Sequence, residues 1–138
     1  TVDEARLPYS LSPRNYDNSE RNYDNSVRNY YNSERNFNNT PRNWENSPRK
    51  FENTVRGNRS MVIEKQGKLI HAGYYATNED GVTNFFSPEG KRLFFSPAGT
   101  MALFHSTEGH FCGVIGKADG KPRLLLTDKG FKILLLEG

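Results

Sequence analysis

The residues best equipped for chemistry stand in one run, His105-Ser-Thr-Glu-Gly-His110-Phe-Cys112. If 106–109 form a four-residue hairpin loop, His105 and His110 face each other across the strands with Cβ atoms roughly 5 Å apart, and Cys112 shares their face. Two imidazoles and a thiolate are a donor set for zinc or copper. Cys112 also falls between Leu103 and Val114, the setting of a buried apolar cysteine. A Cys-His nucleophile would need a third group to orient the base, and a cleft; neither is legible. His105, His110 and Cys112 are therefore weak metal candidates. There is no glycine-rich phosphate loop, no G-x-S-x-G elbow and no paired-carboxylate motif. The expectation is a protein that is not an enzyme and takes no cofactor.

A second set of residues is suited to recognition. Between residues 14 and 56 a seven-residue unit recurs six times: RNYDNSE, RNYDNSV, RNYYNSE, RNFNNTP, RNWENSP and RKFENTV. Arginine returns at Arg14, Arg21, Arg28, Arg35, Arg42 and Arg49, and an aromatic at Tyr16, Tyr23, Tyr30, Phe37, Trp44 and Phe51. Asn18, Asn25, Asn32, Asn39, Asn46 and Asn53 are each followed by Ser or Thr. Arginine and ring are two apart and share a face of an extended segment, so stacked units would align them in ladders. A cation over a ring gains about 0.5 to 2 kcal/mol. Asparagine ladders would satisfy one another through side-chain amides.

The same pattern also fits single-stranded nucleic acid, with arginines on phosphates and rings stacked on bases, or a carbohydrate or cell wall held against ring platforms. Against a polyanion, the repeat carries eight Lys or Arg and six Asp or Glu. Asp17, Asp24, Glu45 and Glu52 follow an arginine by three, and Glu20 and Glu34 precede one, so ion pairing should weaken the pull on phosphate.

A period of seven invites a coiled coil, but the unit offers one aromatic where two apolar positions are needed, and sometimes a proline. An odd period would also throw successive rings to opposite faces of a strand. Each unit must therefore bend. The expectation is a short extended Arg-Asn-aromatic piece followed by an Asx or Ser/Thr turn at the Asn-Ser pair. Residues 1–13, with Pro8 and Pro13, read as an extended lead-in, although Tyr9 and Ser12 keep the register. Between Arg14 and Arg56 the only aliphatic side chains are Val27 and Val55. A segment so poor in core residues becomes ordered by docking along something or by stacking with its own copies. A homo-oligomer or filament is expected.

Residues 60–138 read as an antiparallel β-meander, with turns ending in Gly81, Gly90, Gly99, Gly109, Gly120 and Gly130, each glycine at positive φ. The expected strands run from about Met61 to Lys65, Leu69 to Thr77, Val82 to Phe86, Arg92 to Phe95, Thr100 to His105, His110 to Ile115, Pro122 to Leu126 and Phe131 to Leu136. Several are apolar on both faces, so the sheet must close into a small barrel or sandwich, or hide one face under the repeat or another subunit. The fold class is mainly β with little or no helix, divided into lead-in 1–13, repeat arm 14–59 and meander 60–138.

The formal charge of +3 is modest, and one cysteine excludes an intrachain disulfide. No apolar run approaches the roughly 20 residues of a spanning helix. Thr1 at the start is read as the product of processing, of an initiator methionine or a signal peptide. The array followed by GVTNFFSPEGKRLFF resembles a group of bacterial proteins that join Asn-rich heptapeptide repeats to a short β-rich C-terminal region. The resemblance covers most of the chain. It implies bacterial origin and export, and no activity. Taken together, the expectation is a secreted or surface structural protein whose array mediates self-association in a fibre.

Overall fold

The computed structural model describes every residue but Asp119, and for Ile63, Glu64, Lys65, Leu69 and Ala118 only the backbone. Seven strands, β1 (Ser60–Lys65), β2 (Lys68–Thr77), β3 (Thr83–Phe86), β4 (Arg92–Ser96), β5 (Ala102–His105), β6 (Phe111–Ala118) and β7 (Lys121–Leu126), form one antiparallel sheet in sequence order. Each pairs with its chain neighbour, and the sheet curls toward a barrel without β1 and β7 pairing to each other. Seven of the eight expected strands are present, with ends moved by three residues or fewer. The expected turn at 117–120 includes Asp119 and lies outside the described residues.

The eighth expected strand is a helix, α1 (Asp128–Glu137). Thr127 decides it: its hydroxyl accepts from the Gly130 amide at 3.2 Å, a side-chain N-cap, with Asp128 in the first turn where the helix dipole favours it. Gly130 is accordingly no turn glycine. A Cβ there would lie 2.4 Å from the Cys112 carbonyl oxygen, so glycine lets the start of α1 press against β6.

The two faces of the sheet bury separate clusters. Phe85, Leu93, Phe94, Leu103, Cys112 and Leu126 pack with Ile133 and Leu134 of α1. Val82, Phe95, Ala102, Phe104, Phe111 and Val114 pack with Leu7, Leu11 and Val27 of the N-terminal half. The second face is thus covered by the repeat, one of the alternatives that two-faced strands demanded. A bulge sharpens the division. Phe85 pairs with Phe94 but Phe86 with Arg92, so Leu93 is extra in β4 and Arg92 joins Phe95 on the array face.

The array is more tightly folded than an extended piece plus one turn. Each unit makes two turns. The carbonyl of Ser12 accepts from Asn15 N and that of Asn15 from Asn18 N, a pattern repeated through Ser47, Lys50 and Asn53. The first asparagine of the unit caps the 3-10 turn: Asn15 Oδ1 accepts from Asp17 N at 3.1 Å, and Asn22, Asn29, Asn36 and Asn43 do the same. The expected Asx turn therefore belongs to this asparagine and not to the one before Ser. The Ser19 hydroxyl caps the other turn by accepting from Arg21 N. Pro13, Pro41 and Pro48 occupy the second position of that turn, where a fixed φ costs nothing. The lead-in is not extended either, since turns at Glu4–Arg6 and Tyr9–Leu11 continue the array to its start.

Candidate interaction surface

The second asparagine of every unit points inward. Asn18, Asn25, Asn32, Asn39, Asn46 and Asn53 are none of them more than 6% exposed. Their amides do not bond one another, as a ladder would require. Each Nδ2 donates instead to two backbone carbonyls, six and eight residues earlier; Asn39, for example, reaches Tyr31 at 2.8 Å and Ser33 at 2.9 Å. These bonds stitch each unit to the one before it and form a continuous spine.

The spine then docks on the sheet. Arg92 of β4 donates to the Asn32 carbonyl at 2.8 Å, Asn84 of β3 to Asn39 Oδ1 at 2.9 Å, and Tyr74 of β2 to the Asn46 carbonyl at 2.6 Å. Three successive units thus meet three successive strands. A unit must then advance about 4.8 Å, the strand spacing, although seven extended residues would span roughly 23 Å. That mismatch is why each unit needs two turns.

Arg92 is the buried centre of this contact. Its guanidinium also donates to Asn84 Oδ1 at 2.8 Å and to Ser106 Oγ at 3.3 Å, and lies 4.9 Å from the Phe95 ring centre. Burial pulls its pKa down to about 10, opposed by the nearby Glu34 carboxylate. Glu34 in turn accepts from Ser106 Oγ at 2.8 Å, and Glu20 accepts from the Phe111 amide at 3.1 Å. Sequence reasoning gave these two acids to the arginines and missed Tyr74, Asn84, Arg92, Ser106 and Thr100, whose hydroxyl donates to Asn18 Oδ1 at 2.8 Å. The available signal was polar Asn84 and Arg92 interrupting apolar strands.

With asparagines inside, the rings and arginines are left outside. Tyr9, Tyr16, Tyr23, Tyr30, Phe37, Trp44 and Phe51 are 49 to 63% exposed and recur once per unit. Arg14, Arg21, Arg28, Arg35, Arg42 and Arg49 are exposed beside them. Rings and guanidiniums interleave: Arg35 lies 5.9 Å from the Tyr30 ring centre and Arg42 6.0 Å from that of Phe37, each over the ring of the preceding unit. Among the described residues none of these arginines is ion-paired with an acid of the array, contrary to expectation. Glu45 and Glu52 pair with Lys50 instead, and Glu45 also with Arg59.

Of the weak metal candidates, the structure brings His105 and His110 together, with ring centres 5.1 Å apart. Cys112 is fully buried in the cluster under α1, and burial pushes its thiol up to about 12, the setting of the buried apolar cysteine. Among the described residues no helix is long and apolar enough to cross a membrane. No family model, curated protein or solved structure matches the chain.

Proposed function

We propose that the chain is a non-enzymatic structural protein that self-associates through the outer ladder of its array, as a subunit of a secreted or surface fibre. The observation that carries this reading is the ladder itself: seven rings at one pitch, interleaved with arginines and held rigid from behind by the buried asparagines. Exposed aromatics and arginines in a contiguous stripe are the residue types that anchor interfaces. A second copy is the occupant the stripe fits best, because its ladder has the same pitch by construction. Turned antiparallel, it sets arginines against rings along the whole length, and the near balance of charge in the repeat keeps two such faces from repelling. The outer edge of β1, and that of β7 up to Leu126, whose carbonyl already accepts from the Val2 amide, offer a further, head-to-tail contact that would extend pairs into a fibre.

Sedimentation velocity over a rising concentration series, with electron microscopy of the most concentrated sample, tests the proposal. Growth in particle size and regular fibres are expected, and both should be lost when Tyr16, Tyr23, Phe37 and Trp44 are changed to Ser. Export and surface display rest on the resemblance of the repeat and are tested by fractionating cells that express the chain.

The exposed arginines, which among the described residues pair with no acid of the array, favour a second reading, a site for single-stranded nucleic acid. It predicts affinity for an oligonucleotide that falls steeply with salt, whereas self-association through rings predicts little salt dependence.

A further inference from the structure

The tip of the β5–β6 hairpin carries donors that the outer ladder does not use. His105 ends β5, His110 precedes β6 and Glu108 stands in the loop between them; one ligand atom from each lies within 4.8 Å of the others. Glu108 Oε2 is 3.7 Å from His105 Nδ1 and 3.5 Å from His110 Nδ1. Zinc bonds of about 2.0 to 2.1 Å at tetrahedral angles put ligand atoms about 3.4 Å apart. Two of the three edges are therefore within a few tenths of an ångström of a zinc site, and the third, between the imidazoles, is no longer than 4.8 Å.

The surroundings prepare these groups for a cation. His105 is buried, and its Nε2 lies 3.3 Å from Glu137 Oε1 at the end of α1. A ring that gives its Nε2 proton to a carboxylate presents a lone pair at Nδ1, the arrangement that orients metal-bound histidines. Among the described residues the only other partner of that Nδ1 is the Glu108 amide, at a long 3.4 Å. Glu137 is itself held by Lys91, 3.5 Å away. On the other imidazole, His110 Nε2 is buried without a hydrogen-bond partner, so no competing bond fixes that ring. Among the charged side chains, Lys129 acts most strongly against a positive charge on His110, and Glu108 and Glu20 act for it.

We propose that His105 Nδ1, Glu108 Oε2 and His110 Nδ1 bind a divalent transition metal, zinc above all, with water in the fourth position. Two nitrogens and one carboxylate oxygen suit zinc and not a hard cation such as magnesium, which prefers an all-oxygen octahedron. Glu137 is a positioning residue. Occupation would tie the hairpin tip to the end of α1 and stiffen the rim of the sheet.

Calorimetric titration of the full chain with zinc chloride, paired with thermal unfolding, decides the matter. One zinc per chain at micromolar affinity is expected, with a rise in Tm, and no response to magnesium. Glu108→Gln and His110→Gln should each weaken binding at least tenfold. Glu137→Gln should leave the stoichiometry but weaken affinity about 10- to 100-fold, the range for such outer partners. Absence of zinc binding by the folded chain would overturn the proposal, as would unchanged affinity in Glu108→Gln. That variant settles the question alone if His110→Gln unfolds, because the Glu108 side chain is 70% exposed and its loss should not affect folding.

Discussion

At the scale of the residue, the array depends on one side-chain type used in one way. An asparagine amide that donates to two carbonyls of the preceding unit replaces the apolar contacts that the repeat lacks. Such bonds are worth about 1 kcal/mol each, and a buried group left unpaired costs about 1 to 3 kcal/mol. Asn25→Ala should therefore cost about 1 to 2 kcal/mol in urea unfolding, since it removes only the bonds to Asp17 and Ser19. Asn39→Ala should cost about 3 kcal/mol or more, because it also orphans the amides of Asn78 and Asn84. Equal costs would mean that docking on the sheet contributes nothing at Asn39. Tyr74 offers a pH signature. Burial raises its pKa above the ordinary tyrosine value, so in alkali only the unfolded chain releases the proton. The contribution of Tyr74 to stability should thus be flat below about pH 10 and fall above it. Tyr74→Phe should remove that contribution, read as the difference between the two pH profiles, while losing about 1 to 2 kcal/mol at neutral pH, where the Asn46 carbonyl loses its donor.

At the scale of the element, the unit is matched to the sheet: seven residues, two turns, one strand. This match makes insertions informative. Adding one whole unit between Asn39 and Asn46 preserves the spine and shifts the N-terminal units by one strand, sacrificing contacts such as Asn32 with Arg92 and Val27 with the Gly109 loop. Adding three residues breaks the spine as well. The seven-residue insertion should keep a cooperative unfolding transition with a lower Tm, and the three-residue insertion should lose cooperativity. The strands and tight turns were legible because alternating Phe and Leu with regularly spaced glycines leaves little else to form. The helix was not, because Thr127-Asp-Lys-Gly reads like the other glycine turns; only the Thr127 hydroxyl, bonded to Gly130 N, converts it to a cap. The period of the array was plain, but which side faces inward was not. Rings are ordinarily the buried residues. Here each second asparagine needs the inner position to reach its two carbonyls, and the rings are displaced outward.

At the scale of the whole molecule, array and meander are halves of one packing unit. Phe95, Phe104, Phe111 and Val114 are buried with the array's Leu7, Leu11 and Val27 packed against them. A fragment of residues 57–138 should accordingly bind a hydrophobic dye and aggregate; a soluble fragment with native-like unfolding would show a self-sufficient meander instead. Because the inner face of the array finds its partner within the chain, its outer ladder is left for other molecules. Its use by a second copy is the central claim, and sedimentation velocity tests it most directly. The intact chain should pass from single chains to larger particles as concentration rises, while the variant with Tyr16, Tyr23, Phe37 and Trp44 changed to Ser should sediment as a folded single chain throughout. An intact chain that stays at the mass of one protomer up to millimolar concentration would contradict it.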